Sequence, residues 1–233
     1  MSIKHKKIFE GAFVERPNRF IAKVIIGGIE HTVHVKNTGR CRELLVPGCT
    51  VYLEESDNPQ RKTRYDLVSV EKVRDDGSTL LINMDSQIPN AVAAEWLPRS
   101  GLFSANAVVR REVTYGDSRF DLYVEQGERK AFVEVKGVTL ECDGVAMFPD
   151  APTERGAKHL RGLERALSDG YEAYVLFVIQ MKGVHLFCPN VQTDPRFTEA
   201  LREAVCHGVR VIAVDSVVTP DSITADKQIP IKL

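Results

Sequence analysis

Long hydrophobic runs are missing from this 233-residue sequence. The longest uninterrupted apolar stretch, Ala173 to Ile179, is seven residues, whereas a bilayer-spanning helix needs about 20. No transmembrane helix is expected. The basic start, Met1 to Lys7, is followed by no apolar core or small-residue cleavage site, so no signal peptide is read. Cysteine is scarce and unpatterned: Cys41, Cys49, Cys142, Cys188 and Cys206 are odd in number, and no pair has CxxC spacing. That argues against a zinc ribbon or disulfide framework and for a cytoplasmic protein whose cysteines act as small buried hydrophobes. Charge of one sign is lacking too. Lys and Arg total 31 against 32 for Asp and Glu, a net charge of -1. The total therefore does not advertise a strong duplex binder, although distribution matters more than the sum. Aromatics make up only 7%, but 43% hydrophobic and 27% charged residues exclude a disordered chain, a collagen-like fibre and a disulfide miniprotein.

The distribution divides the chain. Residues 1–84 carry a balance of +3 and residues 85–233 one of −4. The first part reads as short strands, Ile8–Glu15, Arg19–Ile26, Ile29–Val35, Thr50–Glu54, Tyr65–Val73 and Leu80–Asn83, separated by Gly, Pro, Asn and Asp turns. Five or six such strands suggest a small barrel of OB type. Residues 85–103 read as a connector, with a helix over Ile88–Leu97 opened by Pro89. Beyond it a helix is expected over Ser104–Glu112, with Ser104 as N-cap. Strands follow at Arg119–Glu125 and Ala131–Val138, then a helix over Thr153–Ser168, and strands at Tyr171–Ile179 and Val184–Phe187. Asp194-Pro195 opens a helix to about Cys206, and Val209–Val214 is a last strand. The order implies an α+β chain with a mixed, helix-covered sheet.

The chemistry lies in Ser118–Lys136. Period-2 reading puts Phe120, Leu122 and Val124 on one face, with Val133 and Val135 on the next strand. Gly127-Glu128 suits a two-residue type II′ turn. That register sets Leu122 opposite Val133, Phe120 opposite Val135, Asp121 opposite Glu134 and Arg119 opposite Lys136. Facing carboxylates repel unless a divalent cation sits between them. Hard oxygen ligands suit Mg²⁺, with Mn²⁺ as substitute, and leave positions for water and a phosphate. Lys136 could orient the attacking water or offset charge on phosphorus.

Asp121 followed by Glu134-Val135-Lys136 resembles the PD-(D/E)XK nuclease motif, in which a Glu from the first helix often joins the site; Glu112 matches it. The wider pattern comprises His34-Val-Lys-Asn-Thr-Gly-Arg40, Glu43-Leu-Leu, Pro47-Gly48, Arg111-Glu-Val, Ser118-Arg119, Glu134-Val-Lys136 and Phe148-Pro-Asp-Ala-Pro-Thr-Glu-Arg-Gly-Ala-Lys-His159. It resembles the sugar fermentation stimulation protein A family over essentially the whole chain. The resemblance implies an OB-like β-barrel (1–84) followed by a restriction-endonuclease-like mixed sheet flanked by helices (85–233), with DNA binding as the ascribed activity. Two departures are Lys36 for the usual Pro and Gly137 for a frequent Ser; Lys36 would add positive charge to its loop.

Nucleic-acid contacts are expected from Asn37, Thr38, Gly39 and Arg40, read either as a plain turn or as a phosphate-cradling loop, and from Arg119. Arg155 and His159 share one helix face, read either as a solvated basic face or as phosphate contacts next to the metal, and His159 could also donate a proton. Phe9, Phe13, Phe20 and Trp96 are core residues or base-stacking groups. The expected partner is nucleic acid, DNA before RNA, with no membrane; a homodimer stays open. Three activities remain: a Mg²⁺-dependent nuclease, a non-cleaving DNA-binding regulator of sugar-use genes, and a metal-dependent enzyme on a small phosphodiester.

Overall fold

The computed structural model describes residues 3–37 and 39–233. Its strands and helices follow in chain order as β1 (Ile3–Lys4), β2 (Ile8–Asn18), β3 (Ile21–Ile26), β4 (Ile29–Val35), β5 (Thr50–Glu55), β6 (Tyr65–Val73), β7 (Thr79–Asn83), α1 (Ile88–Trp96), β8 (Val108–Tyr115), β9 (Ser118–Gln126), β10 (Arg129–Val138), β11 (Leu140–Cys142), β12 (Val145–Phe148), α2 (Glu154–Ser168), β13 (Glu172–Ile179), β14 (Leu186–Pro189), α3 (Pro195–Cys206), β15 (Arg210–Thr219) and β16 (Ser222–Gln228).

Alternating apolar residues of β2 to β6 point inward and close a five-strand barrel. Each neighbour pairs antiparallel except β4 with β6, which run parallel and complete the ring. This is the OB-like arrangement, and β7 extends it as a hairpin on β6. Phe13, Val24, Val33, Val51, Leu53 and Leu67 fill its core. Phe13 and Trp96 are core residues and Phe9 packs on Tyr65, whereas Phe20 is 51% exposed.

The run Ala173 to Ile179 explains the second half. It is buried at every position because it forms the centre of β13, flanked by parallel β10 and β15. Ala173, Val175, Phe177 and Ile179 face one core, while Tyr174, Leu176 and Val178 face the other. The sheet runs β1-β16-β15-β13-β10-β9-β8. α2 and α3 cover one face with Leu160, Leu163, Phe197 and Leu201. α1 covers the other with Ile88, Val92, Ala93 and Trp96, so the segment read as a connector is a packed layer. α2 is capped by Thr153, whose side chain accepts from the Gly156 N–H at 3.0 Å. Asp194 caps α3 by accepting from the Phe197 N–H at 2.9 Å, and its second oxygen accepts from the Thr153 N–H. One carboxylate therefore fixes the starts of both helices.

Several expectations need correction. The helix over Ser104–Glu112 does not form. The Ser104 N–H goes to Gln126 Oε1, and Val108–Tyr115 pairs along β9, where its β-branched residues favour a strand. Val209–Val214 is not the last strand, because Pro220-Asp221 turns the chain into β16. The first segment does not stay with the barrel, since β1 pairs with β16 of the other sheet. Cys142 and Cys206 are exposed. Among the described residues no helix is long and apolar enough to cross a membrane.

Gly11 marks the tightest approach inside the barrel. A Cβ there would lie 2.6 Å from Val24 Cγ1 and 2.8 Å from the Ile25 carbonyl oxygen, which is backbone and cannot rotate away. Gly11→Ala should destabilise the protein by about 1–3 kcal/mol, as overpacking does. Urea unfolding monitored by the single tryptophan measures it.

Candidate functional site

The turn Gly127-Glu128 forms as the sequence suggests. Gly127 has φ +59° while Glu128 keeps a negative φ, and Gln126 pairs with Arg129 through to Leu122 with Val133. At Asp121 the regular ladder ends. Phe120 packs in the core under α2, while Leu122 and Val124 pack in the core under α1. Neighbouring β8 resets at the same level: Arg111 pairs with Leu122 and Val113 with Phe120, and between them Glu112 takes φ +57°. A left-handed non-glycine residue costs on the order of 1–3 kcal/mol and must be held by its surroundings. Phe120 therefore does not share a face with Val135, as regular alternation had required.

The reset lets the Asp121 side chain enter the seam. Its Oδ2 accepts from the Val135 backbone N–H at 2.8 Å, and its Oδ1 accepts from Asn90 Nδ2 of α1 at 2.8 Å. Glu134 is 1% exposed on the α2 side. Its Oε1 receives His159 Nδ1 and, at 2.5 Å, Lys136 Nζ, while its Oε2 is buried with no hydrogen-bond partner. His159 Nε2 accepts from Arg155 Nε at 3.3 Å, which assigns the Nδ1–H tautomer to the ring.

The two carboxylates are driven apart electrostatically. Burial, and then the charge of Glu134, raise the Asp121 carboxyl above its ordinary range; the Val135 N–H, Lys136 and Asn90 only partly offset this. Burial would raise Glu134 too, but hydrogen bonds and charge from His159 and Lys136 outweigh it and hold the group low. Opposed shifts in adjacent acids are a recurring feature of sites that move protons or bind cations. The donor set suits a hard divalent cation. Two carboxylates lie close enough to feel each other's charge, and one oxygen of Glu134 is buried without a donor. Among the described residues no cluster of three or more His, Cys, Asp or Glu groups is placed to hold a metal.

Other expected residues fall elsewhere. Glu112 is in a strand, not a helix, and its side chain pairs with Arg119 at the exposed rim. Arg119 pairs with Thr114 of β8 and, beyond the end of the β9–β10 ladder at Leu122, is not opposite Lys136. His159 is 8% exposed with both ring nitrogens engaged, so it positions Glu134 and does not reach outward to phosphate. Asn37 is 9% exposed, and its Oδ1 accepts from the Gly39 N–H at 2.7 Å, a side-chain turn that withdraws one donor from the supposed cradle. Thr38 lies outside the described residues. Arg40 is exposed. Lys36 adds no free charge to the loop, because its Nζ sits 3.2 Å from Glu54, 3.3 Å from Asp85 and 3.5 Å from Asp66. Sequence reasoning missed Asn90, since an Asn in a helix's first turn looks like an ordinary start signal, and Arg16, three of whose four backbone acceptors lie more than 20 residues away in sequence.

An OB-like barrel joined to a restriction-endonuclease-like sheet, with an Asp/Glu/Lys cluster in a broken ladder, defines the class. Residues 14–81 match the sugar fermentation stimulation protein N-terminal OB domain, and residues 87–222 match the sugar fermentation stimulation protein RE domain. The chain belongs to the sugar fermentation stimulation protein family. It is 56% identical over 231 residues to a sugar fermentation stimulation protein homolog of Desulfitobacterium hafniense, covering 99% of each chain. It is 52% identical to one of Ruminiclostridium cellulolyticum, covering 99% of this chain and 100% of the other. A solved structure of Pyrococcus furiosus SfsA in complex with Ca²⁺ superposes with TM-score 0.87 at 27% identity, covering 100% of both chains.

The opposed shifts predict opposed variants. A carboxyl with raised pKa stabilises the fold least once pH exceeds its folded value. Asp121→Asn in EDTA should therefore be more stable than the parent at pH 7 by about 1 kcal/mol. The gain should vanish as pH falls through 3.8, the ordinary value. Glu134 contributes stability above its unfolded value, and this is lost as pH falls through its lower folded value. Glu134→Gln should therefore be less stable at pH 7 by about 2 kcal/mol, the scale of a charged hydrogen bond. That deficit should close at pH values below 4.5. Thermal melts across pH compare all three proteins.

Proposed function

We propose that the chain is a nucleic-acid-binding protein with a Mg²⁺-dependent phosphodiesterase site, acting on DNA before RNA. The observation that carries the reading is Glu134: a buried carboxylate held charged by His159 and Lys136, with one oxygen left undonated, beside Asp121. Asp121 and Glu134 would hold Mg²⁺ or Mn²⁺, which supplies Lewis-acid polarisation of a phosphate oxygen and a more acidic water. Pyrococcus furiosus SfsA was solved in complex with Ca²⁺, itself a hard cation that takes oxygen ligands, and Asp121 and Glu134 would offer carboxylate oxygens to a cation of that kind.

The chain's own groups divide the work. Asn90 and the Val135 N–H fix the Asp121 carboxylate against rotation. His159 fixes Glu134 in the same way, itself held by Arg155. Lys136, with its side chain 17% exposed, keeps enough access to give up its bond to Glu134 and offset charge growing on a phosphoryl oxygen. Glu112 and Arg119 stand at the exposed rim, where a substrate phosphate could exchange with Glu112 as the partner of Arg119.

Lys136→Ala separates chemistry from binding. It should leave nucleic-acid affinity within a few fold and cut the Mn²⁺-dependent cleavage rate by about 10²–10³. A gel-shift titration and a cleavage time course on labelled single- and double-stranded DNA and RNA, with EDTA controls, measure both. One feature favours a second reading, that of a non-cleaving binder: Lys136 and His159 already satisfy Glu134 Oε1 within the protein, as in a structural ion pair. Absence of cleavage by the parent on every substrate, with weaker binding by the variant, would replace the nuclease by that regulator.

A further inference from the structure

A cleft of about 520 Å³ opens between the barrel and the segment leading into α2. Arg16, Arg19, Arg40 and Arg42 line it on the barrel side, Ala151 and Pro152 on the other, and no Asp, Glu or aromatic residue is among its lining. The arginines are not equivalent. Arg16 is a structural clamp. Its Nη1 donates to the carbonyls of Gly39 at 3.0 Å and Arg40 at 2.9 Å, and its Nη2 to those of Asn37 at 2.6 Å and Arg19 at 2.7 Å. It ties Asn37, Gly39 and Arg40 to the turn between β2 and β3, so that Arg19 and Arg40 are presented from backbone held in place. Arg19, Arg40 and Arg42 are exposed, and among the described residues their guanidinium groups have no hydrogen-bond or ion-pair partner. Elsewhere arginines are mostly neutralised, as Arg61 is by Asp66, Arg64 by Glu55 and Arg129 by Glu172. Asp150, which abuts Gly39, and Glu43 influence neighbouring Cys41, yet neither lines the cleft.

Three guanidinium groups without ion-pair partners in one concave wall repel one another, are offset only from behind it by Asp150 and Glu43, and are relieved by an anion. The chain path says which anion. Pro152 is followed directly by Thr153, the cap of α2, and Arg155 and His159 lie in the first turns of that helix at the Asp121–Glu134 site. We propose that this cleft is a track for the phosphodiester backbone of a polynucleotide strand. It would hold phosphates flanking the one placed at Asp121 and Glu134, and would read no base, because arginine contacts to phosphate carry no sequence information. This rests on the nucleic-acid reading above and deepens it: a substrate spanning both parts of the chain is a polymer, not a small phosphodiester.

The test is the double variant Arg19→Ala/Arg42→Ala in the full chain, with Arg16 left intact because it holds the loop. Fluorescence anisotropy with labelled oligonucleotides of several sequences, from 0.05 to 0.3 M salt (on the order of the range where counterion release is measured), gives affinity and salt slope. The expected result is about tenfold weaker binding at 0.1 M salt, alike for every sequence, with a log–log salt slope shallower by about 1.5. Arg19→Lys/Arg42→Lys should keep most of the slope. Melting curves check that both variants are folded, and calorimetry with Mn²⁺ alone should give the parent's affinity. Unchanged affinity and slope in a double variant whose parent binds would overturn the track and leave the nucleic-acid reading standing. A loss confined to one sequence would overturn it too. A parent that binds no oligonucleotide at any salt overturns both.

Discussion

Two mutually repelling carboxylates, half-buried Asp121 and buried Glu134, stand on neighbouring strands of one sheet, and much of the second half of the chain is arranged to make that tolerable. A buried carboxylate without partners would take up a proton. Glu134 stays charged because Lys136 on its own strand and His159 on α2 both donate to it. His159 reaches it only because α2 is fixed at its start by Thr153 and by Asp194, which also caps α3. Asp121 is met from the opposite layer, by Asn90 of α1, and by the Val135 N–H freed where the ladder opens. The two helical layers and the broken register thus serve the same pair of acids.

The same constraint ties the barrel to the sheet. Gln180, at the end of β13, donates through Nε2 to the Asn83 carbonyl, Asn83 Oδ1 and the Asp85 carbonyl, each at 3.0 Å. Asp85 in turn accepts the charge of Lys36 from the end of β4. Lys72 on β6 reaches buried Glu141 at 2.7 Å, with Arg74 at 3.2 Å. β1, ahead of the barrel in sequence, pairs with β16. These contacts are polar, largely buried and spread around the junction, which favours a fixed angle between the two parts over a flexible tether.

The strand periodicities of the barrel, the Gly127-Glu128 turn, both helix caps and the doubly buried Ala173–Ile179 strand are written locally in the sequence. Each depends on residues within a few positions of one another, through alternation, a cap or a turn preference. So is the nomination of Asp121, Glu134 and Lys136, which share a short segment. What local pattern could not carry was decided by packing. Val108–Tyr115 became a strand because β9 offered it a ladder. The alternation of β8 and β9 reset at Glu112 and Asp121, so the carboxylate entered the seam at a point where regular pairing would have placed it elsewhere. Asn90, Arg16 and the role of His159 were invisible for the same reason: each acts on a partner 25 or more residues away, or on backbone carbonyls brought together only by the closed fold. The sequence by itself determined which residues could do chemistry; the tertiary structure decided which of them are charged, which are clamped and which face solvent, because those properties depend on burial and on neighbours that chain order does not specify.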